Sequence, residues 1–186
     1  IGIDLNRNYI DLGKNRLKKF GITGQKLIAG DALKKIKKLG KIDYCVTSPP
    51  YHDILRKSGN GVRHDGSQTR QGVKYYSEMK KDVGNQKSYN DYLSLLKEIM
   101  KEVFGRLRDG KYCSMVVSDF TVNKKETDAS GDVIKLMQDI GYIFKGKIIL
   151  IQNQKSIYPF GYPYDYVVNH TNQFILNFKK PKKPKR

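Results

Sequence analysis

The sequence has no tryptophan, only two cysteines and only three histidines among its 186 residues. Cys45 and Cys113 both lie within apolar runs, so we interpret them as small core residues and not as a disulfide pair, which suits a reducing cytoplasm. The histidines show no metal-ligand spacing, so we predict no metal site. No apolar run reaches the roughly 18 residues that a membrane helix needs, and no secretory signal opens the sequence. We therefore expect a cytoplasmic protein without a membrane partner.

Acidic residues are also scarce in comparison with basic ones. Lys and Arg number 36 against 18 Asp and Glu, which gives a formal net charge of +18. Such a balance favours a polyanionic partner, such as nucleic acid, over an acidic small molecule. Part of the excess lies in residues 179–186, a basic tail, but the rest of the chain remains positive without it. The length allows one domain with a substantial core.

The apolar pattern predicts strands that alternate with helices until the end of the chain, where two strands follow each other directly. This order predicts an α/β fold with a mostly parallel twisted sheet flanked by helices and a final antiparallel strand. We predict a helix end at Gly141 and either a continuous strand or a bulge at Gly146. The predicted strands lie in the segments IGIDLN, KLIAG, KIDYCVTS, DGKYCSMVVSDF, YIFKGKIILIQN and NQFILNFKK.

Polar residues stand at the ends of the first three predicted strands, namely Asp4, Asp31 and Ser48. Parallel sheets bind ligands beyond the carboxyl ends of their strands, so these side chains are candidates for a site. A carboxylate accepts hydrogen bonds from both hydroxyls of a ribose, and Asp4 fits that role. The alternative is that each aspartate caps the following helix, an interpretation that is favoured more for Asp31 than for Asp4.

The third strand ends in Ser48-Pro49-Pro50-Tyr51, and the proline pair is unusual there. Proline lacks a backbone N–H and forces the residue before it into an extended conformation. The stretch therefore offers acceptor oxygens and almost no donors, which suits a ligand group that only donates, such as the exocyclic amine of a nucleobase. Tyr51 could stack on the ring that carries this amine. The alternative is a strand that merely ends in prolines and a buried tyrosine.

The sequence resembles the S-adenosylmethionine-dependent DNA methyltransferases that modify N4 of cytosine or N6 of adenine. The resemblance lies in TSPPY after an apolar strand, in GIDLN, YIDLGKNRL and GDAL before it, and in DYLSLLKEIMKEVFGRLRDGKYCSMVVSD and FILNFKK after it. It spans most of the chain. It implies a Rossmann-like catalytic domain over residues 1–178, S-adenosylmethionine as the cofactor and double-stranded DNA as the substrate.

The resemblance also implies a role for each candidate residue. Asp4 would hold the cofactor ribose and Asp31 the amino group of the cofactor adenine, and we assign the nearby Asn6 and Ala32 to the same cofactor site. The target base, extruded from the duplex, would be gripped by the residues of the TSPPY motif. These are Ser48, Pro49, Pro50 and Tyr51.

Serine before the proline pair is typical of cytosine N4 methylation in this family, so we favour cytosine over adenine. Carbon-5 methylation needs a cysteine nucleophile, and neither cysteine stands at a strand end. A restriction-modification role would imply a cognate restriction endonuclease as a further partner. The alternatives are an RNA N-methyltransferase and a non-catalytic nucleic-acid-binding homologue.

Two departures from the family pattern are visible. Relatives carry a glycine-rich cofactor loop about 20 residues before the ribose carboxylate, but only three residues precede Asp4. We therefore expect the catalytic domain to be incomplete at its amino-terminal end: either the loop precedes Ile1 in the protein, or the protein is a degenerate homologue. The second departure is Gln173, near the last strand, where many relatives carry an acidic residue.

Two further segments have no single interpretation. Residues 52–90 are predicted to form a long, mobile loop, whose basic residues either become ordered on DNA or lie on a flexible surface. The aromatic residues between Tyr158 and Tyr166 either line the base pocket or pack against the edge of the sheet.

Overall fold

The structure of the protein is a computed structural model, and it describes residues 1–52, 77, 79–122, 125–155, 157, 166 and 168–183. Most of the predicted loop at 52–90, and the aromatic residues from 158 to 165, lie outside the described residues. The described elements are β1 (Gly2–Asp4), α1 (Arg7–Lys19), β2 (Leu27–Ala29), α2 (Ala32–Ile36), β3 (Ile42–Thr47), a 3-10 helix (Val83–Asn85), α3 (Tyr89–Arg106), β4 (Leu107–Val117), β5 (Phe120–Val122), β6 (Lys125–Thr127), α4 (Ala129–Ile140), β7 (Ile143–Ile151) and β8 (Asn172–Lys179).

Strand directions agree with the predicted fold class. The central sheet has the order β3-β4-β8-β7, in which β3 and β4 are parallel and β8 is antiparallel to both of its neighbours. It follows that β3, β4 and β7 run in one direction and that β8, the last strand along the chain, runs against them. The α/β prediction with a final antiparallel strand is confirmed.

Two strand pairs lie outside the central sheet. β1 and β2 are parallel and pair with each other, and the described strands give neither of them another partner. β5 and β6 form a small antiparallel hairpin that the sequence pattern did not predict. Each of its strands has only three residues, which is too short to show a period of two.

The core lies between α3, α4 and one face of the central sheet. α3 begins at its cap Ser88, whose hydroxyl accepts a hydrogen bond from the Asp91 N–H, and it buries the apolar stripe that the sequence predicts. Alternate residues of β4 and β8 face these helices, as the twofold period of a strand requires. The residues with exposures of 0 or 1% are Met100, Leu107, Cys113, Met115, Val133, Met137, Leu176 and Phe178.

Both predicted glycine positions are found in the fold. Gly141 ends α4 with a φ of 111°, a left-handed conformation that costs glycine little. Gly146 has a φ of 116°, and the pairing of β7 with β8 shifts between Phe144 and Gly146, so β7 is bulged there.

The expected boundary between the domain and its basic tail, at residues 178 and 179, falls inside β8. Lys179 pairs with Tyr112 and Ile143, and the Lys180 N–H donates to the Lys111 carbonyl at 2.9 Å. The strand therefore extends beyond Phe178, and the division into a catalytic domain and a tail remains a prediction. Of the helices that the structure describes, none combines the length and the apolarity of a membrane span.

Candidate active site

A cavity of about 820 Å³ lies beyond the carboxyl ends of β1, β2 and β3. Parallel strands place their carboxyl ends at one edge, and here the ends of the β1–β2 pair and of β3 in the central sheet line the same cavity. The volume is typical of pockets that bind small molecules. All eight predicted site residues line this cavity: Asp4, Asn6, Asp31, Ala32, Ser48, Pro49, Pro50 and Tyr51.

Asp4 stands between β1 and α1 but does not cap the helix. Its Oδ1 accepts the Asn6 N–H at 2.7 Å, and it is Asn6 whose side chain accepts the Asn8 N–H at 3.0 Å as the cap of α1. The capping interpretation of Asp4 is therefore wrong. Among the described residues no hydrogen bond reaches the Asp4 Oδ2, so one carboxylate oxygen remains available to a ligand.

Asp31 does cap its helix, as the alternative interpretation predicted. Its Oδ1 accepts the Leu33 N–H at 3.0 Å at the start of α2. Its Oδ2 lies 3.8 Å from the Lys81 Nζ, which reaches across the cavity. The two oxygens thus have different surroundings: Oδ1 takes part in local structure, and Oδ2 forms an ion pair with a residue 50 positions away.

The proline pair lies just beyond the point where β3 stops pairing with β4. Thr47 opposite Met115 is the last pair of that ladder, so the Pro49 carbonyl lies beyond it. Ser48 is exposed and Pro49 is buried. Within the described part of the chain, no residue hydrogen-bonds to the Ser48 hydroxyl. Ser48 and Pro49 both line the cavity, and their role as an acceptor edge stays a prediction.

Tyr51 is held by a residue from the other end of the chain. The Gln173 Nε2 donates a hydrogen bond to the Tyr51 hydroxyl at 2.7 Å, and both residues line the cavity. Next along the chain, His52 is 8% exposed and packs against the rings of Tyr89 and Tyr92. Its Nε2 lies 3.0 Å from the Gln86 carbonyl, which can only accept, so the proton is on Nε2.

A strap, which we define as Ser77 and residues 79–88, forms one wall of the cavity. Asp82 is 7% exposed and organises it: Oδ2 accepts the Ser77 hydroxyl at 2.6 Å and Oδ1 accepts the Gly84 N–H at 2.9 Å. The Asn85 side chain adds bonds to the carbonyls of Ser77 and Met79. Side-chain hydrogen bonds that no periodic pattern signals hold this part together, while the mobile loop over residues 52–90 stays a prediction, because most of those residues lie outside the described part of the chain.

The strap packs closely on the TSPPY motif. A Cβ placed on Gly84 would lie 3.2 Å from both the Pro50 Cβ and the Tyr51 carbonyl oxygen, so only glycine allows this approach without a shift. The strap also brings Lys80 and Lys81 to the cavity.

Several cavity residues were not identified from the sequence. The apolar floor of the cavity is formed by residues from the apolar stripe of α3. The sequence pattern indicated only that this stripe belongs to the core. Gln173 could have been found from topology, because an antiparallel strand brings its first residues to the edge where parallel strands end. No sequence pattern indicated that Lys80 and Lys81 line the cavity. The additional residues include Tyr9, Lys80, Lys81, Gln86, Leu95, Leu96, Ile99, Met100 and Gln173.

The two thiols lie away from the cavity. Cys45 and Cys113 are opposite each other in the pairing of β3 with β4. A hydrogen bond with Cys113 lowers the pKa of the Cys45 thiol, while the same contact and burial raise the pKa of Cys113. Neither is among the described residues that line the cavity. No described thiol is therefore placed to attack a base bound there.

The α/β fold is the Rossmann-like fold of S-adenosylmethionine-dependent methyltransferases. The model of the N6/N4 methyltransferase family, described as DNA methylase, matches residues 42–186, which is most of the chain. The protein therefore belongs to the N6/N4 DNA methylase family. A comparison with curated protein sequences finds no match.

Solved structures with the same fold include methyltransferases. A protein from Thermus thermophilus described as a putative DNA modification methylase, solved with S-adenosyl-L-methionine, has a TM-score of 0.54 and 19% identity. The match covers 84% of this chain and 55% of that protein, so this chain spans about half of its length. A precorrin-6y C5,15-methyltransferase from Geobacter metallireducens has a TM-score of 0.52 and 15% identity, covering 96% of this chain and 65% of the other. At such identities the likeness shows the fold alone.

Proposed function

We propose that the protein is an S-adenosylmethionine-dependent DNA methyltransferase that modifies an exocyclic amino group, with N4 of cytosine favoured over N6 of adenine. One observation carries the proposal. The acceptor edge at Ser48 and Pro49 and the carboxylate of Asp4 line the same cavity, so an amine and a nucleoside cofactor would meet there. Membership of the DNA methylase family supports the substrate class.

The residues of the cavity fit the nucleoside part of this cofactor. The Asp4 Oδ2 would accept the ribose hydroxyls, with Asn6 beside it. The adenine amino group would share the Asp31 carboxylate with Lys81, next to Ala32. When bound, the cofactor supplies an electrophilic methyl group on sulfur. No glycine is among the described residues that line the cavity, so the fit covers the nucleoside and not the methionine part.

The acceptor edge explains how an amine could react. The lone pair of an exocyclic amine is delocalised into its ring, which makes the nitrogen a poor nucleophile. If the Ser48 hydroxyl oxygen and the Pro49 carbonyl oxygen accept hydrogen bonds from its two N–H groups, the nitrogen becomes more pyramidal and its lone pair is directed at the methyl group. Holding the two reacting atoms in line supplies much of the acceleration. One proton then leaves through Ser48 to solvent, because Ser48 is exposed.

Binding of DNA would be separate from this chemistry. Phosphate contacts by lysine and arginine provide most of the affinity of such proteins, and the net charge of +18 suits them. The base must leave the duplex stack to reach the cavity, and Tyr51 offers its ring for stacking. Lys80 and Lys81 lie at the cavity, where the phosphates next to an extruded base would pass.

Transfer of tritiated methyl groups by the intact protein tests the proposal. Unmethylated genomic DNA and tRNA serve as substrates, and chromatography of the digested DNA separates N4-methylcytosine from N6-methyladenine. We expect label in DNA, mainly in cytosine, and incorporation that is slower by roughly 100-fold or more with Ser48→Ala. Label in tRNA alone would favour an RNA N-methyltransferase. If calorimetry shows no heat with millimolar S-adenosylmethionine, the non-catalytic nucleic-acid-binding homologue is favoured.

The wider context remains a prediction. Residues 1–178 are proposed as the catalytic domain, and a restriction-modification role would bring a cognate endonuclease as a partner. Deleting the gene from a host that also encodes such an endonuclease would show loss of protection of the host DNA.

A further inference from the structure

We propose that Gln173 is a positioning residue for the Tyr51 ring, so that the hydrogen bond between them sets the stacking surface for the target base. The inference rests on the proposed function and deepens it at the same site.

The placement of Gln173 follows from the topology of the sheet. β8 runs antiparallel between β4 and β7, and Gln173 is its second residue, opposite Leu150. The beginning of β8 therefore lies at the edge where β3 ends and the TSPPY motif begins. The contact joins residues 122 positions apart, and both side chains are partly buried in the wall of the cavity.

The chemistry of the contact fixes the tyrosine in a way that the backbone does not. Pro49 and Pro50 restrict the chain before Tyr51, but they leave rotation about the side-chain bonds of Tyr51 unrestricted. An amide N–H that donates to the phenol oxygen at 2.7 Å anchors the far end of the ring. Gln173 thus holds the hydroxyl end of the ring, and the strap packs against the Tyr51 carbonyl oxygen of the backbone.

The contact predicts how three substitutions should differ. Gln173→Leu keeps the size of the side chain and removes the donor, so the ring loses its anchor. Gln173→Glu keeps the length and accepts the phenol hydrogen, so the bond persists with its direction reversed. Gln154→Leu makes the same chemical change at an exposed glutamine away from the cavity and is the matched control.

Methyl-transfer kinetics on unmethylated genomic DNA provide the first measurement. We expect Gln173→Leu to lower kcat by about 10- to 100-fold, the scale of a misplaced reacting group, with the dissociation constant of S-adenosylmethionine unchanged. Gln173→Glu should recover most of the kcat, and Gln154→Leu should match the wild type. A Gln173→Leu protein with wild-type kcat would overturn the inference. So would a Gln173→Glu protein as impaired as Gln173→Leu.

Nuclear magnetic resonance provides a measurement that does not need activity. In protein labelled with ¹³Cζ-tyrosine, Tyr51→Phe identifies the Tyr51 signal, which should shift and broaden in Gln173→Leu and remain sharp in Gln173→Glu. An unchanged Tyr51 signal in Gln173→Leu would overturn the inference even if the wild type transfers no methyl groups, a result that defeats the proposed function alone. If Gln173→Leu does not fold, Tyr51→Phe removes the same bond from the other side. A wild-type kcat in that variant contradicts the inference.

Discussion

The carboxylates of Asp4 and Asp31 each accept a hydrogen bond from a backbone N–H two residues further along the chain, whereas Tyr51 and the adjacent His52 contact residues 122 and 34 positions away. We call the part around Asp4 and Asp31 the cofactor half and the part around Ser48 and Tyr51 the base half. The cofactor half is built by the starts of two helices. The base half depends on the strap and on the first residues of β8.

The two halves should therefore differ in how they respond to substitutions elsewhere in the chain. A local hydrogen bond forms whenever its helix forms, so changes elsewhere should leave the bonds of Asp4 Oδ1 and Asp31 Oδ1 intact, and only the ion pair of Asp31 Oδ2 with Lys81 depends on the strap. The base half forms only when distant segments of the chain pack together. Its geometry therefore depends on the whole fold. Substitutions in the two halves should separate cofactor binding from turnover, and the following predictions test that separation.

The largest expected effect is on turnover, from Ser48→Ala. Removal of the hydroxyl leaves one of the two amine protons without an acceptor, and losing a positioned proton acceptor lowers kcat by roughly 100-fold or more. The affinities for DNA and for S-adenosylmethionine should stay at the wild-type level. Ser94→Ala, at an exposed position of α3, is the control. Equal losses of DNA affinity and of kcat would show that the base half also carries the binding.

The next effect is expected in the cofactor half, from Asp4→Asn. The amide oxygen still accepts the Asn6 N–H, but the charged acceptor for the ribose hydroxyls is lost. A hydrogen bond to a charged group contributes about 1.5–3 kcal/mol, so the dissociation constant of S-adenosylmethionine should rise roughly 10- to 100-fold. Calorimetry measures it, with Asp11→Asn on the exposed side of α1 as the control. An unchanged constant would remove Asp4 from the cofactor site.

A third effect concerns the strap, through Asp82→Ala. The substitution leaves the buried Ser77 hydroxyl and the Gly84 N–H without their acceptor, which costs about 1–3 kcal/mol of the free energy of unfolding. Limited proteolysis should cut the strap faster, and the KM for DNA should rise more than the dissociation constant of the cofactor. If both constants change equally, the two halves of the cavity are coupled through the strap.

The smallest effect is expected far from the cavity, at Asp139. Its hydrogen bond with Lys97 lowers the pKa of the carboxyl below its usual 3.8, although the group is fully exposed. A lowered folded-state pKa means that the stabilisation is present above pH 3.8 and is lost as the pH falls through the folded pKa. Asp139→Asn should therefore lower Tm slightly at about pH 7 and by less as the pH falls below 3.8 toward the folded pKa, with turnover unchanged at neutral pH. A large change in turnover would contradict the assignment of activity to the cavity.

The sequence predicts most of the fold and the local parts of the site. The spacing of apolar residues was sufficient to predict the long helices and strands. The positions of Asp4, Asp31 and Ser48 at the ends of predicted parallel strands indicated that they lie near one another. The bonds that complete the site are not visible in any short stretch of sequence. The strap depends on the Asp82 carboxylate meeting Ser77, and Tyr51 depends on Gln173, whose position follows only once the order of the strands is known. Asn6, two residues after Asp4, is the cap of α1, and the spacing of residues alone did not show which of the two caps the helix.

The central position of β8 has a consequence for how the protein is made. β8 lies between β4 and β7, yet it leaves the ribosome after both of them. Until it emerges, β4 and β7 lack the strand that pairs with both of them. The core also lacks Leu176 and Phe178, which are fully buried in the folded protein. The nascent chain therefore exposes two open strand edges during synthesis, and translation that stops short of residue 172 would yield a product prone to aggregate.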